Sequence, residues 1–465
     1  MKTMKKLLCL VACIAIIAGV FAGCAQKNQN EGNADGKITI SVNNWPKDTE
    51  KEKLATFNGY VEKLKEQHPN IELKTYTSGY SVESFFTDAA SGQLTNLYYA
   101  PYTEAKKIID AGFAKDITKW IKEYGYDTGV NPGIMKILVR DDKYYGVPFS
   151  SYNQGLMFNM NLLEAAGYVN EDGSPVVPDT YDELTEMAKA IKDKTGKAGF
   201  FMSTKGTEGG WQFMNLAWSF GVTFMEQVDG KWQAKFDSDE AVAAMQYFKD
   251  WKWKYDILPV NNLVNRDDMK KMFAADEVAM AYYTKDMVEQ PILNYGMNKD
   301  DIGGGVIPAG PAGRYSQMGG GLWLVSPETT DEQVDAIFKW LEVKGDTPKF
   351  NDSVKASLEQ SLSSEKESGL LVLPQPVPLW VSEERAESEK ALYEQYKNYN
   401  PILWPMLNSS EDLILKEEPP MYAQELYAAL SAVMQRMLTD ENADPRAEME
   451  KANAAFQKDY LDKLN

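Results

Sequence analysis

A serine or cysteine nucleophile needs an imidazole beside it, and this chain of 465 residues has one histidine, His68. Its three cysteines, Cys9, Cys13 and Cys24, all stand near the N-terminus. His68 precedes Pro69 at the end of an expected helix, so neither a catalytic triad nor a multi-histidine metal centre can be assembled, and no metal or cofactor is expected. Acidic residues number 68, and carboxylate pairs can hydrolyse glycosides, but at this density such pairs arise by chance. Ser363-x-x-Lys366 and Lys194-Thr195-Gly196 share elements with penicillin-recognising enzymes, yet their order is reversed and the Ser-x-Asn element is missing. No P-loop or HExxH is present, so an enzyme is not expected. What remains is binding chemistry, carried by eleven tryptophans and 25 tyrosines among carboxylates and amides. A sugar offers apolar C–H faces and rings of hydroxyls, which is what that combination recognises.

The first 23 residues carry Lys2, Lys5 and Lys6, an apolar run from Leu7 to Val20, then Ala22 and Gly23 before Cys24. This is the layout of a secretory signal, and its apolar run is shorter than the roughly 20 residues that span a bilayer. The small-small-Cys ending resembles the lipobox of bacterial lipoproteins, with Phe21 a mild departure. The resemblance implies cleavage before Cys24, lipid on its sulfur, and a cell-membrane anchor on the extracytoplasmic face. Residues 24–36 read as a flexible tether reaching roughly 20 Å. The rest of the chain has no thiol and must be stabilised by its core. Losing the three leader lysines takes the formal charge from −19 to −22; so acidic a surface disfavours nucleic acid.

Ile38, Ile40 and Val42 alternate as a half-buried strand. Leu54, Phe57, Val61 and Leu64 then share a helix face as far as Pro69, and Ile71 and Leu73 alternate again. That order predicts a parallel α/β sheet. Thr180 to Glu183 and Thr330 to Gln333 read as capping boxes opening helices, the first ending at Gly196. Leu426, Leu430, Val433, Met434 and Met437 mark another helix, and Pro445 opens a last one through Met449 and Phe456.

The order of these segments resembles the extracellular solute-binding proteins of carbohydrate ABC transporters, the family of maltose-binding proteins. Tyr145-Gly146-Val147-Pro148, with Gly155 to Asn159 and Leu162 to Gly167, looks like that family's first interlobe crossing. Phe273, Glu277 to Met280 and Tyr283 resemble its return to the first lobe. Ile307-Pro308, Gly319-Gly320-Gly321 and Ser326-Pro327, leading to Val334 to Leu341, resemble the third crossing. The resemblance implies two α/β lobes joined by three crossings, with ligand in the cleft between them. It places residues 37–149 and 284–326 in the first lobe and 150–283 and 327–465 in the second. It further implies a carbohydrate ligand, ABC permease subunits as partners, and a monomer; a non-sugar ligand or a surface glycan-capture role are the alternatives.

On the same resemblance, Asn44 and Trp45 follow the first strand where ligand is met. Thr95-Asn96 stands where the family has Pro-Asp. The following loop, Ala100-Pro101-Tyr102-Thr103-Glu104, lacks the Trp and Asp-Arg of maltose-type members, which makes Tyr102 the expected platform, with Thr103 and Glu104 beside it. Tyr152 and Asn153 fall in the first crossing, and Trp211 opens a helix after a glycine-rich run. Tyr283, Gly320 and Trp323 flank the later crossings, Gly320 letting backbone approach ligand closely. Trp380 and Trp404, in proline-rich loops, are expected to cap the pocket. Truncating Trp45 or Tyr102 is expected to weaken binding with the fold intact.

Overall fold

A computed structural model describes residues 36–464 apart from 82, 376 and 406–409. The leader, Cys24 and nearly all of the tether lie outside the described residues.

The expected opening unit forms. Strand β1 (Ile38–Val42), helix α1 (Lys51–Gln67) and strand β2 (Ile71–Thr75) follow in order, and β1 pairs with β2 in parallel from Ile38 opposite Ile71 to Val42 opposite Thr75. Strand β3 (Leu97–Pro101) lies on the other side of β1. Asn96 fixes that junction by accepting from both the backbone N–H and the hydroxyl of Ser41 at 2.8 Å. Strand β4 (Gly146–Asn153) belongs to this first sheet, whereas β5 (Gly155–Asn159), one residue later, belongs to a second.

The second lobe is built next, from α2 (Tyr181–Thr195), β6 (Ala198–Phe201), α3 (Glu208–Ser219), α4 (Arg266–Ala274), β7 (Val278–Tyr283), α5 (Lys285–Tyr295) and β8 (Ile302–Gly305), its sheet running β8-β5-β7-β6. The Thr180 hydroxyl receives the Glu183 N–H and Gly196 ends α2 at φ 70°, though the Glu183 carboxylate turns to the N–H of Asp179. Strand β9 (Gly313–Val325) then returns to the first sheet, antiparallel to both β3 and β4. Helix α6 (Asp331–Lys344) starts in a complete capping box between Thr330 and Gln333. After α7 (Asp352–Glu367), strand β10 (Leu413–Glu417) pairs in parallel with β9, and α8 (Ala423–Thr439) and a helix over Pro445–Asp459 close the chain.

Two large hydrophobic cores result, with a small cluster of Leu362, Val372 and Leu392 besides. One gathers Ile40, Leu64, Tyr98, Leu138 and Leu324; the other gathers Leu156, Phe200, Trp251, Met280 and Met434. The division departs from the expected one at two places. After β7 the chain does not return to the first lobe, because Met287, Val288, Ile302 and Ile307 all pack in the second core. Val334 to Val343 of α6 pack in the first core instead of the second, since β1 needs a helix over its face. The chain crosses at Asn153–Gly155, between β8 and β9, and between β10 and α8, and between α6 and β10 it also visits the second core at Leu371, Leu373 and Trp404.

Close packing of α3 on α8 depends on Gly210, where a Cβ would sit 2.1 Å from the Tyr427 carbonyl oxygen. Gly59, on the exposed face of α1, has nothing within 4 Å of that position. Gly210→Ala should cost about 1–3 kcal/mol by overpacking, and Gly59→Ala should add about 0.5–1 kcal/mol; urea unfolding midpoints of the two variants measure both.

Candidate functional site

The cleft between the lobes holds a cavity of about 540 Å³. On the first-lobe side stand Asn44, Tyr99, Thr103, Phe149, Ser150, Tyr152, Gly320 and Gly321; on the second-lobe side stand Glu208, Trp211, Arg266, Gln424 and Tyr427, with Glu418 in the crossing from β10 to α8. A neighbouring cavity of about 710 Å³ runs between α1 and α5 and shares Tyr152, Trp211 and Arg266 with it. Those three side chains form the ridge where the cavities meet. The Tyr152 ring meets Trp211 edge-on at 6.1 Å, and the Arg266 guanidinium lies 5.3 Å from the Trp211 ring centre.

Trp211 is held from behind. Its Nε1–H donates to Glu418 Oε1 at 3.0 Å, which also accepts from Tyr427 Oη at 2.7 Å and Gln317 Nε2 at 3.0 Å. Gln317 Oε1 in turn accepts from Gln154 Nε2 at 2.9 Å. Burial pushes the Glu418 carboxyl up from 4.5 to about 7, the bonds from Tyr427 and Trp211 working against this and the Glu104 charge adding to it. Arg266 donates to Thr284 and Asp286, and Asp286 also meets Lys270 at 3.0 Å. Burial raises the Asp286 carboxyl, but Arg266, Thr284 and Lys270 together hold it below its ordinary value.

Among the residues expected from sequence, Asn44, Thr103, Tyr152, Trp211 and Gly320 line the cleft. Asn44 does so in the left-handed region, at φ 55°, which asparagine tolerates. The others are packed elsewhere. Trp45 stacks on Trp340 and meets Phe57 edge-on. Tyr102 is buried beneath the cleft floor, its hydroxyl donating to the Ser150 carbonyl at 2.7 Å. Glu104 is fully buried, paired with Lys107 at 2.8 Å and accepting from Tyr80. Asn153 is buried at the first crossing. Trp323 stacks on Phe149 and donates to Asp346; Tyr283 packs edge-on to Trp404 in the second core; and Trp380 packs against Tyr126 in the first. The Gly320 reading also changes. A Cβ there would lie 2.1 Å from the Ser150 carbonyl and 2.6 Å from the Tyr102 ring, so the glycine first serves the packing of β9 on its neighbours.

Glu418, Arg266, Tyr427, Tyr99 and Phe149 were not foreseen. Arg266 follows Asn265, whose side chain caps α4 by accepting from Asp268 N–H, a cap visible in sequence. Nothing local shows that this helix start faces Trp211.

Two α/β lobes with a cleft walled from both sides, aromatic at its ridge and linked by chain crossings, define a body built to enclose a solute. The chain belongs to the bacterial extracellular solute-binding proteins, whose family profile matches residues 47–346. Solved structures agree on the fold. The cyclic alpha-maltosyl-1,6-maltose binding protein of Arthrobacter globiformis is 21% identical, with a TM-score of 0.64 over 91% of this chain and 98% of that one. A solute-binding protein from Thermotoga lettingae bound to alpha-D-tagatose is 18% identical, with a TM-score of 0.63 over 91% and 99%. UgpB of Mycobacterium tuberculosis, in complex with glycerophosphocholine, is 13% identical, with a TM-score of 0.65 over 92% and 100%.

The raised Glu418 carboxyl sets a pH dependence. Its folded value lies above the unfolded one, so its contribution to stability is full below about pH 4.5 and is lost as pH rises through about 7. Glu418→Gln keeps an acceptor for Trp211 and Tyr427 without the charge. Its melting temperature should rise relative to the wild type between about pH 5 and pH 8, as followed by differential scanning fluorimetry.

Proposed function

We propose that the protein captures a carbohydrate in this cleft and delivers it to an ABC-type importer, acting by binding and lobe closure rather than catalysis. The observation that carries the reading is the ridge of Trp211 and Tyr152 flanked by Glu208, Glu418 and Gln424. An aromatic face packs on sugar C–H groups, while carboxylates and amides take the hydroxyls. The sugar-bound Thermotoga lettingae relative and the maltosyl-maltose binding protein of Arthrobacter globiformis support the same ligand class. The two cavities meeting at one ridge suit an oligosaccharide, with one unit on either side of it. Asn44, Thr103, Tyr152, Trp211 and Gly320 are retained as contacts.

A ligand that touches both lobes favours the closed form. Moving the balance from about 1:99 to 99:1 takes roughly 5.5 kcal/mol of differential binding, less than the roughly 8 kcal/mol that a micromolar ligand supplies in total. Lipid on Cys24 would hold the body, as a monomer, beside its permease on the outer face of the membrane.

Calorimetry against oligosaccharides, polyols and amino acids tests the ligand class; saturable binding confined to the non-carbohydrates would overturn it. Trp211→Ala should weaken sugar binding by about tenfold or more, and Trp380→Ala, in the first core, should leave affinity unchanged while lowering the melting temperature. Cys24→Ser should move the protein from the membrane fraction to the medium; retention at the membrane would remove the anchor.

A further inference from the structure

Which glycans the cleft admits follows from the charges around its ridge. Glu418 Oε1 already accepts from Trp211, Tyr427 and Gln317, and Oε2 carries none of these bonds. The residue is half-buried and lines the cavity, so the saturated oxygen fixes the carboxylate and the other is left to serve as an acceptor. Glu208 brings a second carboxylate to the same cavity, its Oε2 accepting from the Arg266 N–H at 2.9 Å. Thr103, 5% exposed, adds a hydroxyl whose Oγ1 has no hydrogen-bond partner among the described residues.

The one cation among the described residues lining this cavity is Arg266; its Nη2 is bonded to Asp286 and Thr284, its guanidinium lies over Trp211, and its Nε has no hydrogen-bond partner among the described residues. In the neighbouring cavity Lys285 is engaged by Glu365 at 2.7 Å and Glu289 at 3.5 Å, and Lys53 pairs with Glu50 at 2.9 Å. An anion would therefore meet only cations already paired with carboxylates, and in the first cavity it would lie beside Glu418 and Glu208. The net charge of −19 opposes its approach as well.

We propose that Glu418 is a specificity-determining residue that accepts hydroxyls of an uncharged glycan and excludes acidic sugars from the cleft. The assignment rests on the carbohydrate reading above and sharpens it to neutral sugars. A hydroxyl gives Glu418 a donor; a uronate, phosphate or sulfate offers only further acceptors. Like charges juxtaposed in a poorly solvated site cost enough to separate ligands by an order of magnitude.

The test uses the protein without its leader, titrated calorimetrically at about pH 8 with neutral di- and trisaccharides of glucose, galactose, mannose and xylose and with uronic-acid counterparts of the same linkage. The wild type should prefer the neutral member of the pair it binds by about tenfold or more. Glu418→Gln should narrow that ratio several-fold with a melting temperature no lower than the wild type's, a change that a residue merely supporting Trp211 would not produce. Equal or tighter binding of the acidic member by the wild type, or an unchanged ratio in the variant, overturns the proposal while leaving a sugar-binding cleft in place. Binding of no saccharide of either kind overturns both.

Discussion

Three passages of chain between the two cores are tied together by hydrogen bonds at one place, and the rest of the molecule is arranged around that knot. Gln154 lies in the first crossing, Gln317 on β9 as the second crossing re-enters the first sheet, and Glu418 in the third; they are linked in series through Gln317, which accepts from Gln154 and donates to Glu418. Ser316 strengthens the first link, its hydroxyl accepting from Gln154 N–H and donating to Gln154 C=O. Such a buried polar chain is sensitive to displacement, since each broken link would leave an amide or carboxylate unsatisfied away from water. A rotation of one lobe against the other would have to keep these three residues together to leave the chain of bonds unbroken. Trp211 extends the same chain into the cleft, so the ridge a ligand would meet is anchored directly to the pivot.

The knot has a cost. Glu418 sits where burial disfavours its charge, and three donors converge on one oxygen without a cation in contact. A well-packed apolar side chain would avoid that penalty. A carboxylate can do what such a side chain cannot: it orients an indole, receives a tyrosine hydroxyl and keeps an acceptor for the cleft. Sites of this sort trade stability for geometry.

The sequence shows the elements more clearly than the site, for a physical reason. Periodicity and caps are local, and the first strand-helix-strand unit, the capping box at Thr330 and the closing helices all form where the pattern places them. Which way an aromatic faces is not local. Trp45, Trp323, Trp380 and Trp404 stand beside crossings or in loops much as Trp211 does, yet the first four are absorbed by Trp340, Phe149, Tyr126 and Tyr283, partners that lie from about 120 to nearly 300 positions away. Trp211 escapes because its indole nitrogen is claimed by Glu418, 207 residues on. The lobe boundary is hidden from the sequence on the same ground. Helix α6 follows the last strand of the first sheet and could cover either core from its sequence; the exposed face of β1 decides it.

The first lobe is not complete until the chain has built the second and come back. Arg314, 4% exposed, enters β9 by pairing with Asp179 at the start of α2 and with Asp412 just before β10, while its Nη1 donates to the Ile307 carbonyl at 2.7 Å. One guanidinium thus joins the second lobe, the second crossing and the entry to β10. The guanidinium is buried but both carboxylates are mostly exposed, so the pairs themselves contribute little to stability. Their geometry is restrictive, however, and here it fixes the register at which β10 lies along β9, Arg314 opposite Leu413 through Met318 opposite Glu417. A slip of one residue would turn successive side chains to the opposite face of the sheet and carry Glu418 away from Trp211. The placement of the carboxylate at the ridge is therefore set by an ion pair at Asp412, six residues before it, before any ligand is present.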